Sequence, residues 1–164
     1  MYMFTIQLLS NDHSQHAVGL ILPIQQVEFG VPITIQDQPD LIDIDAYYTQ
    51  PGGGFWGAFK DGELIGTIAL INVGHSAGVI RKMFVKKEFR GKTLGVAQQL
   101  LESLLEYSRE KGITDLYLGS VDPMKAAHRF YERNGFEKIP PKDLPSYFPR
   151  MALDTIFFHL SQNK

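Results

Sequence analysis

Residues 79–101 read VIRKMFVKKEFRGKTLGVAQQLL, and this stretch decides the fold class. Val79 to Val85 has the apolar content of a strand, a basic turn with Gly91 and Gly95 follows, and from Thr93 the period is helical. Leu94, Ala97, Leu101, Leu104, Leu105 and Ser108 fall on one stripe, and Gly112 closes the helix. Backbone N–H groups at a helix start converge on one spot, where the helix dipole favours negative charge. Arg81, Lys82, Lys86, Lys87, Arg90 and Lys92 place six cations within twelve residues, against Glu88 alone. The ligand suited to this turn is a polyvalent anion; a pyrophosphate fits.

Two phosphate patterns compete for it. Gly91-Lys92-Thr93 matches the end of a P-loop, whose first glycine would fall at position 86, here a lysine. An apolar strand ending in an acid, Leu116 to Asp122, does lie downstream. A P-loop, however, opens a larger parallel domain, whereas here a β-hairpin precedes the turn. The hairpin runs over 55–59 and 63–72, with Asp61-Gly62 at its tip.

Before the hairpin, Met3 to Leu8 reads as a first strand, and Asn11 to Ser14 offers caps for a helical pattern reaching Phe29. Pro39 opens a second helix through Tyr48, and Pro51-Gly52-Gly53-Gly54 breaks the chain. After the long helix come a strand at 116–121, a helix at 123–134 ended by Gly135, a proline-rich loop at 139–150 and a closing strand at 155–160. The order predicts a mixed α/β (α+β type) fold, with about seven strands and about four helices. It differs from a doubly wound nucleotide fold, where strands and helices alternate throughout.

The chain has 164 residues, which predicts one domain, 1–164, able to bury a core without staples. With no cysteine, thiol nucleophiles, disulfides and cysteine zinc sites are excluded. Sixteen basic against eighteen acidic residues argue against bulk nucleic-acid or membrane binding. Met1 to Ile6 lacks a charged leader, so a cytoplasmic protein is expected.

Arg90-Gly91-Lys92-Thr93-Leu94-Gly95 resembles the R/Q-x-x-G-x-G/A segment of the GNAT superfamily of acyl-CoA-dependent N-acyltransferases. Ala127 to Phe136, AHRFYERNGF, is similar to that family's A-x-x-F-Y-x-x-x-G-F segment. Residues 26–29 and Gln38-Pro39-Asp40-Leu41 resemble a bacterial subgroup of undefined acceptor. The resemblance implies a V-shaped cleft where the strand 79–85 splays from the strand 116–121. It also implies acetyl-CoA as cosubstrate, no metal, an amine acceptor as the other partner, and leaves a homodimer open. Cofactor contacts are implied at Met83, Phe84 and Val85, at Arg90, Gly91, Lys92, Thr93, Leu94, Gly95 and Val96, and at Ala127 and Phe130. Thr93 replaces the family's usual first glycine; it is expected to donate its N–H and to cap the helix. Met124 stands where many members have an asparagine, and Val79 where many have a glutamate base.

The implied reaction is acetyl transfer to a primary amine by direct attack, since no cysteine can carry the acyl group. It needs a neutral amine, an oxyanion donor and a proton for the leaving thiolate. The N–H near Met83 is the implied oxyanion donor, and Tyr131 the implied acid. Glu28 is the first candidate base and His75 the second; a solvated carboxylate and a turn histidine are the plainer readings. A CoA-binding sensor without turnover is the alternative function. Tyr47, Tyr48, Tyr147 and Phe148 are candidate acceptor-site walls. Phe55, Trp56 and Phe59 read as sheet packing, and His13 with His16 lacks a third metal ligand.

Overall fold

The computed structural model describes residues 4–162 except Lys92 and Pro123, so the expected starts at Met3 and Pro123 and the contact at Lys92 lie outside the described residues. Seven strands form one mixed sheet: β1 (Thr5–Leu8), β2 (Gly54–Lys60), β3 (Glu63–Gly74), β4 (Ala77–Val85), β5 (Asp115–Ser120), β6 (Glu137–Ile139) and β7 (Ile156–Ser161). Their hydrogen-bonded order is β1-β2-β3-β4-β5-β7-β6. The helices are α1 (Ser14–Pro23), α2 (Pro39–Ile42), α3 (Val96–Glu110) and α4 (Lys125–Arg133). π-helical turns at Ile24–Glu28 and Asp45–Thr49 follow the first two. The chain forms two compact units, 1–71 with 81–107 and 72–80 with 108–164.

In the first unit, β1 pairs antiparallel with β2, and β2 with β3. Asp61 (φ +52°) and Gly62 (φ +81°) supply the left-handed turn at the hairpin tip. A register shift between Ala58 and Phe59 leaves Ile65 as an extra residue in β3. Strand alternation sends Phe55 and Ala69 to one face, where they meet Ala17 and Ile21 of α1, Leu41, Ile44 and Tyr48. Trp56 belongs to the other face and packs edge-on to Tyr107 of α3, with ring centroids 5.3 Å apart. The hairpin aromatics are thus packing residues, as their pattern suggested.

α3 starts at Val96, three residues later than its expected start at Thr93. Gly95 has φ +71° and cannot be helical, yet its carbonyl accepts the first helical bond, from Gln99 at 3.0 Å. Gly95 is therefore the cap, and Thr93 lies in the preceding turn. The buried stripe is Val96, Leu100, Leu101, Leu104 and Ser108, rotated from the expected one. Beneath it lies Gly66 of β3, where a Cβ would sit 3.0 Å from Val96 Cγ1, 3.1 Å from Leu100 Cδ1 and 3.3 Å from the Phe84 carbonyl. A bare glycine in β3 thus lets the start of α3 lie close on the sheet.

In the second unit, β4 pairs parallel with β5 from Ala77↔Asp115 to Val79↔Tyr117, and β7 lies antiparallel between β5 and β6. Tyr131 of α4, Phe136 and Phe158 of β7 form an aromatic core there. The proline-rich loop contains a 3-10 turn at Pro141–Asp143 and places Phe148 against Phe157.

Gly66→Ala inserts one carbon that Val96, Leu100 and the Phe84 carbonyl must shift a few tenths of an ångström to admit. Equilibrium denaturation should show a loss of about 1–3 kcal/mol with an unchanged m-value.

Candidate active site

The basic turn between β4 and α3 lies wholly in the first unit. It is tied to β3 where the Lys86 N–H donates to the Ile65 carbonyl at 2.8 Å, and a 3-10 turn at Lys87–Phe89 reverses the chain. Gly91 (φ +104°) and Gly95 (φ +71°) then bend the backbone in ways an L side chain resists. Beyond its chain neighbours, a Cβ at either would meet no atom of the described residues within 4 Å, so the space over these two glycines is open. The first N–H groups of α3 have no acceptor within the helix, and α3 spans fifteen residues. Arg90, Gly91, Thr93, Leu94, Gly95 and Val96 are thus gathered on one glycine-bent, cationic turn, and Met83, Phe84 and Val85 on the strand feeding it. This donor set fits a pyrophosphate.

Arg90 and Glu28 bind each other. Both guanidinium Nη atoms donate to the Glu28 carboxylate, Nη2 to Oε1 at 2.7 Å. Arg90 Nε donates to the Val85 carbonyl at 2.7 Å, and its Cζ lies 5.9 Å from the Phe29 ring centre. The hydrogen bond from Arg90 holds the Glu28 carboxyl below its ordinary pKa, against opposing burial and with help from the charges of Arg90 and Lys87. A carboxylate stabilised in this way accepts a proton poorly. Glu28 is thus an ion-pair partner of the turn in this structure.

β4 carries a polar cluster that the sequence pattern did not single out. Lys82 sits mid-strand with φ +54°, a conformation costing roughly 1–3 kcal/mol for a residue with a side chain. Its Nζ donates to Gln38 Oε1 at 2.5 Å and lies 3.6 Å from Asp40 Oδ2. Gln38 and Gln25 exchange amide hydrogen bonds of 3.1 and 2.8 Å, and the Tyr48 hydroxyl donates to Asp40 Oδ2 at 2.5 Å. Burial draws the Lys82 ammonium below its ordinary pKa, and Asp40 partly restores it. Burial first, and then Asp40, push the Tyr48 phenol up. Of the candidate wall residues, Tyr48 belongs to this cluster and is only 1% exposed, whereas Tyr47 is 47% exposed. The available sequence signal was Gln38-Pro39-Asp40-Leu41, legible as a resemblance but silent about burial.

The second unit carries Ala127, Phe130 and Tyr131 on α4. Tyr131 is 7% exposed among Phe130, Phe136 and Phe158. Burial, with a smaller contribution from the charge of Asp154, pushes its phenol up to about 12. Asp154 lies against β5, since a Cβ on Gly119 would come within 2.3 Å of its Oδ2. His128, three residues before Tyr131, shares a 3.0 Å hydrogen bond with Ser120 Oγ, and burial lowers its pKa. His75 has φ +60° in the β3–β4 turn and stacks on Tyr147, with centroids 4.1 Å apart. His13 accepts a hydrogen bond from the Ser10 N–H at 3.0 Å in a capping box. Among the described residues, no group of three or more His, Asp or Glu side chains could hold a metal ion.

Comparison with known proteins places this arrangement. A model of the Acetyltransferase (GNAT) family matches residues 20–136. N-acetylaspartate synthetase of Danio rerio is 32% identical over 126 residues, 74% of this chain and 44% of that protein. The chain therefore spans under half the length of that relative. An uncharacterized N-acetyltransferase of Escherichia coli (strain K12) is 30% identical over 75% of this chain and 76% of its own. The crystal structure of a GNAT-family acetyltransferase from Staphylococcus aureus Mu50 is 34% identical and superposes with TM-score 0.93, covering 98% of this chain and 100% of that one. The seven-stranded sheet, the glycine-bent cationic turn and these likenesses agree: the chain belongs to the GNAT family of acetyltransferases.

Proposed function

We propose that this protein transfers acetyl from acetyl-CoA to a primary amine by direct attack of the amine on the thioester. The observation that carries this reading is the turn from Arg90 to Val96. Two left-handed glycines there face open space, an α-helix starts at Val96, and Arg90 lies beside them. A diphosphate is the anion such a turn suits, and a structural relative of 17% identity was solved with coenzyme A. Met83, Phe84 and Val85 offer the pantetheine arm an added-strand surface, and Ala127 with Phe130 is assigned to the same cosubstrate.

The amine must lose its proton, an oxyanion must be stabilised and the departing sulfur must be protonated. No cysteine exists to carry the acyl group. The Met83 N–H is assigned to the oxyanion and Tyr131 to the sulfur. A phenol near 12 stays protonated throughout the working range, so Tyr131 is always ready to donate. A thiol of ordinary pKa ~8.5 is the stronger acid. Tyr131 hydrogen-bonds the departing sulfur and hands it a proton as the C–S bond breaks, and the proton taken from the amine by the base restores the phenol. Glu28 is assigned to the base on one condition: Arg90 must leave it. An incoming diphosphate competes for Arg90 and so releases the carboxylate.

For the acceptor, the likeness to N-acetylaspartate synthetases of about 30% identity supports the α-amine of an amino acid. A cytoplasmic setting accords with a chain that has no cysteine; no described helix is long and apolar enough to cross a membrane. The second reading, a CoA-binding sensor, is favoured by two departures, Met124 in place of asparagine and Val79 in place of a glutamate base. Thiol release from acetyl-CoA across a panel of amino acids and polyamines, beside CoA binding by calorimetry, separates the two. Turnover supports the transferase, and tight binding with no turnover on any amine supports the sensor.

Tyr131→Phe should lower kcat by ~10²–10⁴ with little change in CoA affinity. In the wild type, Tyr131 should contribute no falling limb to the pH–rate profile below the region of 12, because its proton is lost only there. Glu28→Gln should lower kcat through the missing base while tightening CoA severalfold, because Arg90 no longer has to be drawn from a carboxylate; unchanged affinity would show that the diphosphate does not recruit Arg90.

A further inference from the structure

Four described residues other than glycine have positive φ, namely Asp61, His75, Ser76 and Lys82. The first three sit in tight turns between strands. Lys82 does not; it lies within β4, where extended backbone is the rule. Contacts within the first unit over-determine this conformation. The Lys82 carbonyl accepts the Thr67 hydroxyl at 2.8 Å, and its Nζ donates to Gln38 Oε1 at 2.5 Å with Asp40 Oδ2 at 3.6 Å. The partners are themselves fixed. Thr67 is fully buried in β3, Gln38 is 1% exposed and locked to Gln25, and Asp40 accepts the Tyr48 hydroxyl.

The Lys82 carbonyl and the Met83 N–H belong to one peptide, and no described peptide bond is cis. In a trans peptide these two groups point in opposite directions. A carbonyl held on Thr67 therefore turns the Met83 N–H away from Thr67 and β3. An N–H whose direction is fixed in this way can be aimed at an acceptor atom of a ligand.

We propose that Thr67 and Lys82, braced by Gln38 and Asp40, are positioning residues that aim the Met83 N–H at the carbonyl oxygen of the bound acyl group. The assignment rests on the acyltransferase reading above, in which that N–H stabilises the oxyanion. Thr67 fixes one end of the peptide plane, and the buried ammonium of Lys82 fixes the backbone rotation that sets its tilt. Neither side chain need touch substrate.

Thr67→Val keeps the shape of residue 67 and removes the hydroxyl. Lys82→Gly keeps access to φ +54° and removes the ammonium clamp, and serves should the first variant not fold. In each, kcat and kcat/KM for acetyl transfer should fall together by about ten- to a hundredfold, with the Kd for CoA within twofold of wild type. A second readout needs no turnover. In ¹⁵N-labelled wild-type protein the Met83 amide proton should shift downfield with acetyl-CoA relative to CoA, and in Thr67→Val that difference should vanish. Wild-type protein that shows the shift but acetylates no amine defeats the transferase reading and leaves the positioning role standing. A Met83 amide that responds equally to CoA and acetyl-CoA, or variants with wild-type kcat, overturns the positioning role.

Discussion

A lysine ammonium buried in the middle of a strand has to be satisfied where it lies, and the first unit is arranged around that requirement. An isolated ammonium in an apolar interior is costly, so Lys82 persists there only with an acceptor and a counter-charge. Gln38 supplies the first and Asp40 the second, and both come from the segment that begins α2. Gln25, from the turn after α1, locks Gln38, while Tyr48 locks Asp40. Parts of the chain between α1 and β2 are thus tied to one residue of β4 by directional bonds rather than by apolar contact alone. Apolar packing of α1 on β2 and β3 would tolerate small slides; a carboxamide pair and an ion pair tolerate much less.

A second charge relation organises the glycine-bent turn. Arg90 is held by Glu28 on one side and by the Val85 carbonyl on the other. Its guanidinium is therefore pre-placed beside the turn, with its charge already answered by a carboxylate. In the transferase proposed above, the diphosphate would compete with Glu28 for Arg90, so that cosubstrate arrival would free a carboxylate. Tyr131 shows the opposite treatment of an ionisable group. Deep burial in the second unit pushes its phenol up to about 12, so it stays protonated.

Much of the fold was legible because local rules suffice for it. Asp61-Gly62 has left-handed preference at both positions, and the hairpin turns there. Gly91 and Gly95 stood out as the bends of a phosphate turn, and both have positive φ. Boundaries were less legible. Thr93 has the chemistry of a cap, but the left-handed Gly95 behind it delays the helix to Val96 and rotates its buried stripe. The candidate site was legible only in part. Tyr131 and the turn lie in contiguous motifs, whereas the Arg90–Glu28 pair joins residues 62 apart and the Lys82–Gln38 bond residues 44 apart. Periodicity carries no information about such pairs, and a glutamine or an aspartate on a short helix looks solvated until its neighbours are placed.

By itself, then, the sequence determined what chain geometry and chemical inventory dictate. There is a hairpin, a glycine-bent cationic turn running into an amphipathic helix, an aromatic helix ended by glycine, and no thiol for a covalent acyl intermediate. The tertiary structure alone decided which charges meet. Glu28, the first candidate for a free base, is held in an ion pair by Arg90. Lys82, one of six cations in a basic run, is a largely enclosed ammonium paired with Asp40 on a left-handed stretch of β4. The physical reason is that the charged form of a side chain is governed by burial and by partners brought close in space, and folding joins them from distant parts of the chain.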